Sequence, residues 1–595
     1  MACARNLLPI ALFGLFVAGC QPAPPTAQPA EPVSAAKVEA PDPGIAWQAA
    51  VDTFIDGTFR RDPVFAASSG KHEFDGKLPD YSPGALAEKA SWLHAQRDAV
   101  AAFKDEVLDK QQRFEREYVL SRIDSQLFAL EDSGFPYSNP VYYVGDLSPS
   151  MYLTRPYAPL AERMAAFVSY LEALPRAIEQ IRTNLRPPLP VTYVDLGINT
   201  FAGYSHFFAS DVPDIFAEVA DSELQARFKR ANEKAVQATR EMADWFTTLK
   251  PEATRDFALG AEKFSRMLRM SERVDLPIYQ LKAAGEADLS RNLTSLKSAC
   301  HEYAPGRSLS DCVAKAASNK PEGGAVEGAR KQLAGLRSFL IEKDLVSIPG
   351  TEEAKVEEAP PFNRWNFAYI EIPGPYETNL PSVYYIAPPN PDWPKAEQDA
   401  YVPGKAALLF VSAHEVWPGH FLQFLHANRS KWIFGRLFVG YAYAEGWAHY
   451  TEEMMFDAGL EGATPEIHIG QLTNALLRNV RYLSAIGLHT GGMTLEESEQ
   501  MFRDQAYQDP GNARQQAARG TYDPGYLNYT LGKLMIMQLR EDWTAARAGR
   551  DSWKAFHDEF LSYGGPPVPL VRAQMLDTAA ETRLWQAPAL GPPAH

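Results

Sequence analysis

The sequence predicts a mainly α-helical protein with a small β element, and three features of the chain support this prediction. Long stretches repeat apolar residues at intervals of three and four, which is the spacing of one buried helix face. Two short segments near residue 370 instead alternate in polarity and are rich in β-branched and aromatic residues. The 595-residue chain is 46% hydrophobic and 22% charged, which is ordinary for a globular protein with a large core.

The N-terminus resembles the signal peptide of a bacterial lipoprotein. Arg5 precedes an apolar run over residues 7–17 that is too short for a comfortable membrane span, and small residues then lead to Cys20. The resemblance implies cleavage before Cys20, which makes residues 1–19 the signal peptide, and lipidation of its thiol. Gln21 in the next position favours the outer membrane. An ordinary secretory signal with a chance cysteine is the alternative.

Composition and charge define the rest of the mature chain. We expect residues 20–44 to be the lipidated cysteine and a flexible Pro/Ala tether, because this segment lacks aromatic residues. Residues 45–595 are expected to form a single large domain. This domain could consist of two lobes, at about residues 45–350 and 360–595. The net charge of −16 without a basic stripe argues against nucleic acid as a partner. From the lipoprotein-like N-terminus we expect a protein of the cell envelope, on the outer membrane and facing the periplasm. It should contact the membrane only through its lipid. The sequence leaves the oligomeric state open.

Four long helices and one helix start can be placed from the apolar spacing and from the residues that favour helix ends. Ser222, with Gln225 three residues later, predicts a capping box. The helices are expected over residues 85–132, 160–185, 222–249 and 330–343.

Residues 350–361 predict an exposed acidic connector, and the two alternating segments, residues 368–373 and 382–386, follow it. They are expected to form a small hairpin or sheet beside the functional site. Its edge could pair with an extended substrate, or the element could be purely structural. Residues 445–547 again predict mainly helix.

The cysteines agree with export. Cys3 leaves with the signal peptide and Cys20 takes the lipid, so Cys300 and Cys312 remain as a pair in an oxidising compartment. We predict a local disulfide between these two residues.

The strongest functional signal is the seven-residue stretch His-Glu-Val-Trp-Pro-Gly-His that begins at His414 and ends at His420. A catalytic zinc takes three protein ligands, and the best-known helical motif places two histidines four residues apart. Here they are six apart, so on a straight helix, at about 100° per residue, their side chains would point about 120° apart. Pro418 and Gly419 are expected to interrupt the helix and turn His420 back to the ion.

A third ligand and a general base complete the predicted zinc site. Glu445 lies 31 residues after His414, with His449 and Glu452 on the same helix face. We predict Glu445 as the ligand and the other two as groups that orient it, with Glu452 as the alternative ligand. Glu415 follows the first histidine and is predicted to take a proton from the zinc-bound water and pass it to a leaving amine.

The patterns His-Glu-x-x-Pro-Gly-His and Glu-Gly-Trp-x-x-Tyr-x-Glu, which begins at Glu445, resemble the bacterial family known as domain of unknown function 885. That family is similar to zinc metallopeptidases with a glutamate as third ligand and a largely helical fold. The resemblance covers most of residues 46–590 and is specific around 412–453. It implies a zinc cofactor, with His414, His420 and Glu445 as ligands and Glu415 as base.

Two later segments also resemble this family. An Arg-x-x-Arg…Gly-x-His pattern places Arg478, Arg481 and His489 as substrate-binding candidates, although Ala485 stands where the family is expected to have Asp. Either arginine could hold a peptide carboxylate through two hydrogen bonds, or pair with a structural acid.

A tyrosine from a late helix donates a hydrogen bond to the tetrahedral oxyanion in similar peptidases. The segment that begins Tyr-Asp-Pro-Gly at Tyr522 supplies the candidates here. We predict Tyr529, with Tyr522 and Tyr526 as alternatives.

The sequence thus predicts a zinc metallopeptidase that hydrolyses short peptides of the cell envelope in a deep cleft of a large helical fold. C-terminal trimming is expected if an arginine faces the cleft, and internal cleavage if the β element lines it. The alternatives are a zinc amidohydrolase acting on a cell-wall or other non-peptide amide, and a non-catalytic envelope binding lipoprotein.

Overall fold

The structure, a computed structural model, describes residues 43–360, 364 and 367–586. The predicted signal peptide, Cys20 and all but the last two residues of the predicted tether lie outside this range. From Pro43 onward the chain forms one compact unit. Within the described ranges, no helix combines the length and apolar character that crossing a bilayer requires.

The fold is mainly α, as the apolar spacing predicts. The first half of the described chain is a series of helices that precede a small sheet. These helices are α1 (Pro43–Arg61), α2 (Pro63–Ser68), α3 (Pro83–Ala101), α4 (Lys110–Leu127), α5 (Phe135–Ser138), α6 (Val141–Val144), α7 (Ser150–Thr154), α8 (Leu160–Asn184), α9 (Val191–Ser210), α10 (Val212–Ile215), α11 (Ser222–Leu249), α12 (Ala261–Glu272), α13 (Ile278–Tyr303), α14 (Leu309–Ser318) and α15 (Gly324–Lys343).

The helices after the sheet carry the predicted functional residues. They are α16 (Lys395–Tyr401), α17 (Lys405–Glu415), α18 (His420–Ala427), α19 (Ile433–Leu437), α20 (Tyr441–Asp457), α21 (Pro465–Ile486), α22 (Leu495–Gln505), α23 (Pro510–Tyr522), α24 (Asn528–Ala545), α25 (Trp553–Ser562) and α26 (Val568–Leu576).

Three of the predicted helix limits are wrong, and local capping explains two of them. The third is the start of α15, which begins at Gly324 rather than at residue 330. The expected helix over residues 85–132 is divided, because Asp109 and Gln112 form a capping box that starts α4 anew. The cap of α11 is Asp221 rather than Ser222, since the Asp221 carboxylate accepts the backbone N–H groups of the second and third helical residues. The side chain of Gln225 instead donates to the carbonyl of Phe216.

The β element is a three-stranded sheet in the order β1 (Ala354–Glu358), β3 (Ser382–Ile386), β2 (Ala368–Glu371). β1 runs parallel to β3, with Val356 opposite Tyr384, and β2 runs antiparallel to β3. The prediction of an acidic connector over residues 350–361 is therefore wrong for β1. The sequence of β1 does not show the alternation of a strand, because Val356 is the one residue of its five that is buried.

The apolar cores show how the elements are arranged. α8, α9 and α11 enclose one core, whereas the larger core extends from α12 to the C-terminal helices and includes β3. A third core combines side chains of α1, α3 and α4 with those of α19, and the predicted lobe boundary near residue 355 stays a prediction. Within the larger core, α20 packs on α24, and α21 contacts both α13 and α17, which brings the motif-bearing helices together. β2 also contacts α17, so the sheet lies beside the helix that carries His414.

The predicted disulfide is confirmed. Cys300 near the end of α13 is bonded to Cys312 in α14 across a sequence separation of 12 residues, and both side chains are buried in the larger core.

Candidate metal centre

The break between α17 and α18 lies where the Pro-Gly pair predicts it. α17 ends at Glu415 and α18 begins at His420. The turn between them is so tight that a β-carbon on Gly419 would lie 1.7 Å from the carbonyl oxygen of His414. The indole N–H of Trp447 donates to the carbonyl of Pro418 at 2.9 Å and so attaches the turn to α20. The local sequence and one packing residue therefore fix the break.

The break brings two imidazoles to one carboxylate. The rings of His414 and His420 have centroids 4.8 Å apart and planes inclined at 84°. Their Nε2 atoms lie 3.2 Å and 3.3 Å from the same Oε2 atom of Glu445. One ligand atom from each residue lies within 4.8 Å of the other two, which makes the group a possible metal-binding triad.

The electrostatics of the triad favour a positive charge between its members. Burial lowers the pKa of the His414 imidazole, but Glu445 and Glu452 outweigh it and raise that pKa to about 9. Burial raises the pKa of Glu445, whereas His420 and His414 together hold it well below its usual range. Two imidazole nitrogens and a carboxylate oxygen are also a donor set that zinc accepts. The residues present therefore fit the predicted metal.

Glu452 orients the His414 ring from its Nδ1 side, which faces away from the triad. Its Oε1 atom lies 2.7 Å from Nδ1 of His414, which directs the Nε2 lone pair at the triad when Nδ1 carries the proton. Glu452 is itself held by Arg478, with 2.9 Å from Nη2 to Oε1, and His449 Nδ1 lies 3.3 Å from its other oxygen. Glu452 thus contacts His414 on the side away from the triad, and Glu445 is the glutamate that joins the two histidines.

Arg478 pairs with an acid, which is the second of the two roles that its sequence pattern left open. Its guanidinium pairs with Glu452 and donates to the carbonyl of Asn474, and its side chain is buried. The charge is neutralised inside the protein, so the structure does not support Arg478 as a substrate-binding residue. It positions Glu452 instead.

Glu415 is the last residue of α17, directly after His414, and its carboxyl interacts electrostatically with His420, His414 and Glu445. It is half-buried beside the triad, and no residue in the described part of the chain hydrogen-bonds to its carboxylate. Burial raises the pKa of this carboxyl, which makes its carboxylate a stronger proton acceptor than an ordinary glutamate.

Tyr529 reaches the triad because two helices approach closely. α20 and α24 cross where a β-carbon on Gly446 would lie 2.4 Å from the α-carbon of Gly532, so only glycine fits at this crossing. The ring of Tyr529, about one turn before Gly532, lies 6.2 Å from the His414 ring. Burial raises the pKa of its phenol, which therefore keeps its proton and can donate a hydrogen bond.

The alternative tyrosines are engaged elsewhere. The Tyr526 hydroxyl donates to Ser484 at 2.9 Å, and the Tyr522 ring packs on Tyr193.

The sequence comparison decides the family. The model of a family described as "Bacterial protein of unknown function (DUF885)" matches residues 63–575. The chain belongs to this family. No curated protein matches the sequence of this DUF885 member.

Two solved structures share the fold of the DUF885 chain. One is a "putative lipoprotein of unknown function" from Shewanella oneidensis, with a TM-score of 0.74, 23% identity, and coverage of 89% of this chain and 99% of that one. The other is a "putative lipoprotein" from Colwellia psychrerythraea, with a TM-score of 0.73, 16% identity, and coverage of 90% and 98%. A "putative oligoendopeptidase F" from Bacillus anthracis reaches a TM-score of 0.29, which is too low to support a conclusion about fold or activity.

His489 of the DUF885 chain also departs from expectation. It is buried, its Nε2 lies 2.8 Å from the carbonyl of Gly520, and its Nδ1 accepts the backbone N–H of Leu259 at 3.3 Å. Both ring nitrogens are occupied by backbone groups, so the structure does not support a substrate-binding role. His489 instead ties the end of α21 to α23 and to the segment before α12.

A buried ion network beside the metal centre was not predicted from the sequence of the DUF885 member. The Lys533 ammonium lies 2.8 Å from Asp288 and 3.3 Å from Glu453, and Arg291 contacts both carboxylates. The network connects α13, α20 and α24. A lysine in an otherwise apolar face of α24 was the available signal, but its partners lie 245 and 80 residues away in the chain.

Proposed function

We propose that this protein is a zinc-dependent hydrolase of peptide bonds in short peptides of the cell envelope. The observation that carries the proposal is the convergence of three ligand atoms. The Glu415 carboxyl interacts electrostatically with all three ligands, and the Tyr529 ring lies 6.2 Å from the His414 ring. The proposal includes lipid attachment at Cys20, which agrees with the two lipoprotein structures of the same fold, and a position on the outer membrane facing the periplasm.

His414, His420 and Glu445 would hold the zinc. When bound, zinc supplies Lewis-acid chemistry, which polarises a scissile carbonyl and makes water more acidic. The triad offers three protein ligands within the described residues, which is the number typical of catalytic zinc, whereas a structural site is closed by a fourth.

The chain's own residues supply the proton transfers and the charge stabilisation. Glu415 takes a proton from the attacking water and delivers it to the nitrogen of the leaving amine as the C–N bond breaks. The Tyr529 hydroxyl donates a hydrogen bond to the oxygen that gains negative charge when water adds to the carbonyl. Glu452 and Arg478 keep the His414 ring in its orientation during both steps.

Metal content tests this proposal most directly. We expect about one zinc per chain in the purified protein after zinc is supplied and the excess removed. His420→Ala removes one of the three ligands and should lose most of this metal. Elemental mass spectrometry measures the zinc content per chain. His94→Ala, which changes an exposed histidine paired with Glu131, is the matched control and should retain it. A wild-type protein that takes up no zinc would overturn the proposal and favour a non-catalytic envelope binding protein.

A further inference from the structure

We infer that Arg481 binds the C-terminal carboxylate of the peptide substrate, so that the enzyme releases residues from the C-terminal end. The inference rests on the proposed function and specifies its substrate class. The arginines around Tyr529 differ in whether an acidic side chain pairs with them.

Arg481 differs from its neighbours in lacking an acidic partner. Arg478 pairs with Glu452 at 2.9 Å, and Arg519 pairs with Asp523 at 3.0 Å. The Nε of Arg481 donates to the side-chain oxygen of Gln516 at 2.8 Å, but no carboxylate in the described part of the chain lies within ion-pairing distance of its guanidinium. Its two terminal nitrogens therefore remain available for a ligand.

The location of Arg481 relates it to the metal centre. Its guanidinium carbon lies 5.1 Å from the centroid of the Tyr529 ring, and that same ring lies 6.2 Å from the ring of His414. Tyr529 thus lies between His414 of the triad and Arg481 as a neighbour of both. A peptide whose scissile carbonyl is at the triad and Tyr529 would carry its terminal carboxylate to Arg481 within a short stretch of chain.

The local charge also favours an anion. Burial and the nearby guanidinium groups of Arg519 and Arg478 lower the pKa of Arg481, which shows that its positive charge is poorly compensated. Arg481 is partly buried and has no acidic partner, so a bound carboxylate would offset the repulsion from the neighbouring guanidinium groups. Arginine suits this ligand because its planar fork makes two parallel hydrogen bonds to a carboxylate.

A carboxylate can reach Arg481 from the end of a peptide or from an Asp or Glu side chain. Every unmodified peptide has the first, whereas only some have the second. The test therefore uses three peptides of one sequence: a free acid, its C-terminal amide, and an amide whose last residue is Glu. We expect the wild-type protein to hydrolyse the free acid with a kcat/KM about 100-fold above that of the plain amide, since two charged hydrogen bonds are at stake.

Arg481→Met should remove the preference for the free acid, so that its kcat/KM for the free acid is about equal to its kcat/KM for the amide, mainly through KM. Arg481→Lys keeps the charge without the fork and should show an intermediate preference. Arg514→Met removes an exposed arginine of α23 and is the control for net charge; it should behave as wild type. Calorimetric binding of the three peptides to Glu415→Gln gives the same comparison without turnover.

The outcomes separate the inference from the proposed function. Equal kcat/KM for free acid and amide in the wild type would overturn the inference and leave peptide hydrolysis standing, even if Arg481→Met does not fold. Preference for the Glu-ending amide over the free acid would assign Arg481 to acidic side chains and overturn C-terminal recognition. Hydrolysis of none of the three peptides would count against the proposed function itself, and equal calorimetric affinities would then overturn the inference as well.

Discussion

Replacing Glu415 by glutamine is expected to lower kcat/KM for peptide hydrolysis by roughly 10²–10⁴-fold, the range attributed to general acid–base catalysis. Glutamine has nearly the same shape as glutamate but cannot accept the proton of the attacking water. The change leaves His414, His420 and Glu445 in place, so metal content should stay at the wild-type level. Paired measurements of peptide cleavage and of zinc per chain test both halves of this expectation.

Glu397→Gln is the matched control, because Glu397 is an exposed acid in α16. It makes the same chemical change and should leave both measurements at the wild-type values. A Glu415→Gln protein with full activity would remove Glu415 from the mechanism. Loss of zinc from that variant would instead mean that Glu415 takes part in metal binding.

Replacing Lys533 by methionine is expected to lower the free energy of unfolding by about 3–5 kcal/mol, the cost of removing one partner from a buried ion pair. Lys533 is fully buried and lies between Asp288 and Glu453, which are also buried. Methionine fills most of the volume but leaves two carboxylates with only Arg291 to compensate them. Chemical denaturation measures the change.

Lys554→Met provides the comparison for this second prediction. Lys554 forms an ion pair with Asp344, but both side chains are substantially exposed. Exposed pairs contribute about 0–1 kcal/mol, so the control should unfold nearly as the wild type does. If the two variants lost the same small amount of stability, the network around Lys533 would have no special role in holding α13, α20 and α24 together.

The sequence predicts well what depends on near neighbours in the chain. The break between His414 and His420 follows from Pro418 and Gly419 alone, because their effect on a helix is local. The long helices follow for the same reason, since one apolar face repeats within each of them. The disulfide was predictable for another reason, because Cys300 and Cys312 are the two cysteines that remain once Cys3 and Cys20 are assigned to the signal and the lipid.

Features that depend on distant partners could not be predicted in this way. The sequence left open whether Arg478 meets substrate or pairs with a structural acid. Its partner, Glu452, comes from another helix, and only the packing of α21 near α20 reveals it. The partners of Lys533, which is in α24, likewise come from other helices, α13 and α20. β1 was missed because its strand character comes from pairing with β3 rather than from its own residues. The sequence pattern thus identifies the residue types of the site. Only the packing of the helices shows which charged side chains are already paired with an opposite charge.

The glycine contact between α20 and α24 also determines which parts of the site can move. Because the backbones at Gly446 and Gly532 touch without intervening side chains, the two helices cannot slide or separate without opening a void in the core. Glu445 in α20 and Tyr529 in α24 are therefore held in a fixed position relative to each other. Under the proposed function, a motion that admits a peptide therefore has to come from elements outside this contact, and β2, which contacts α17, is one of them.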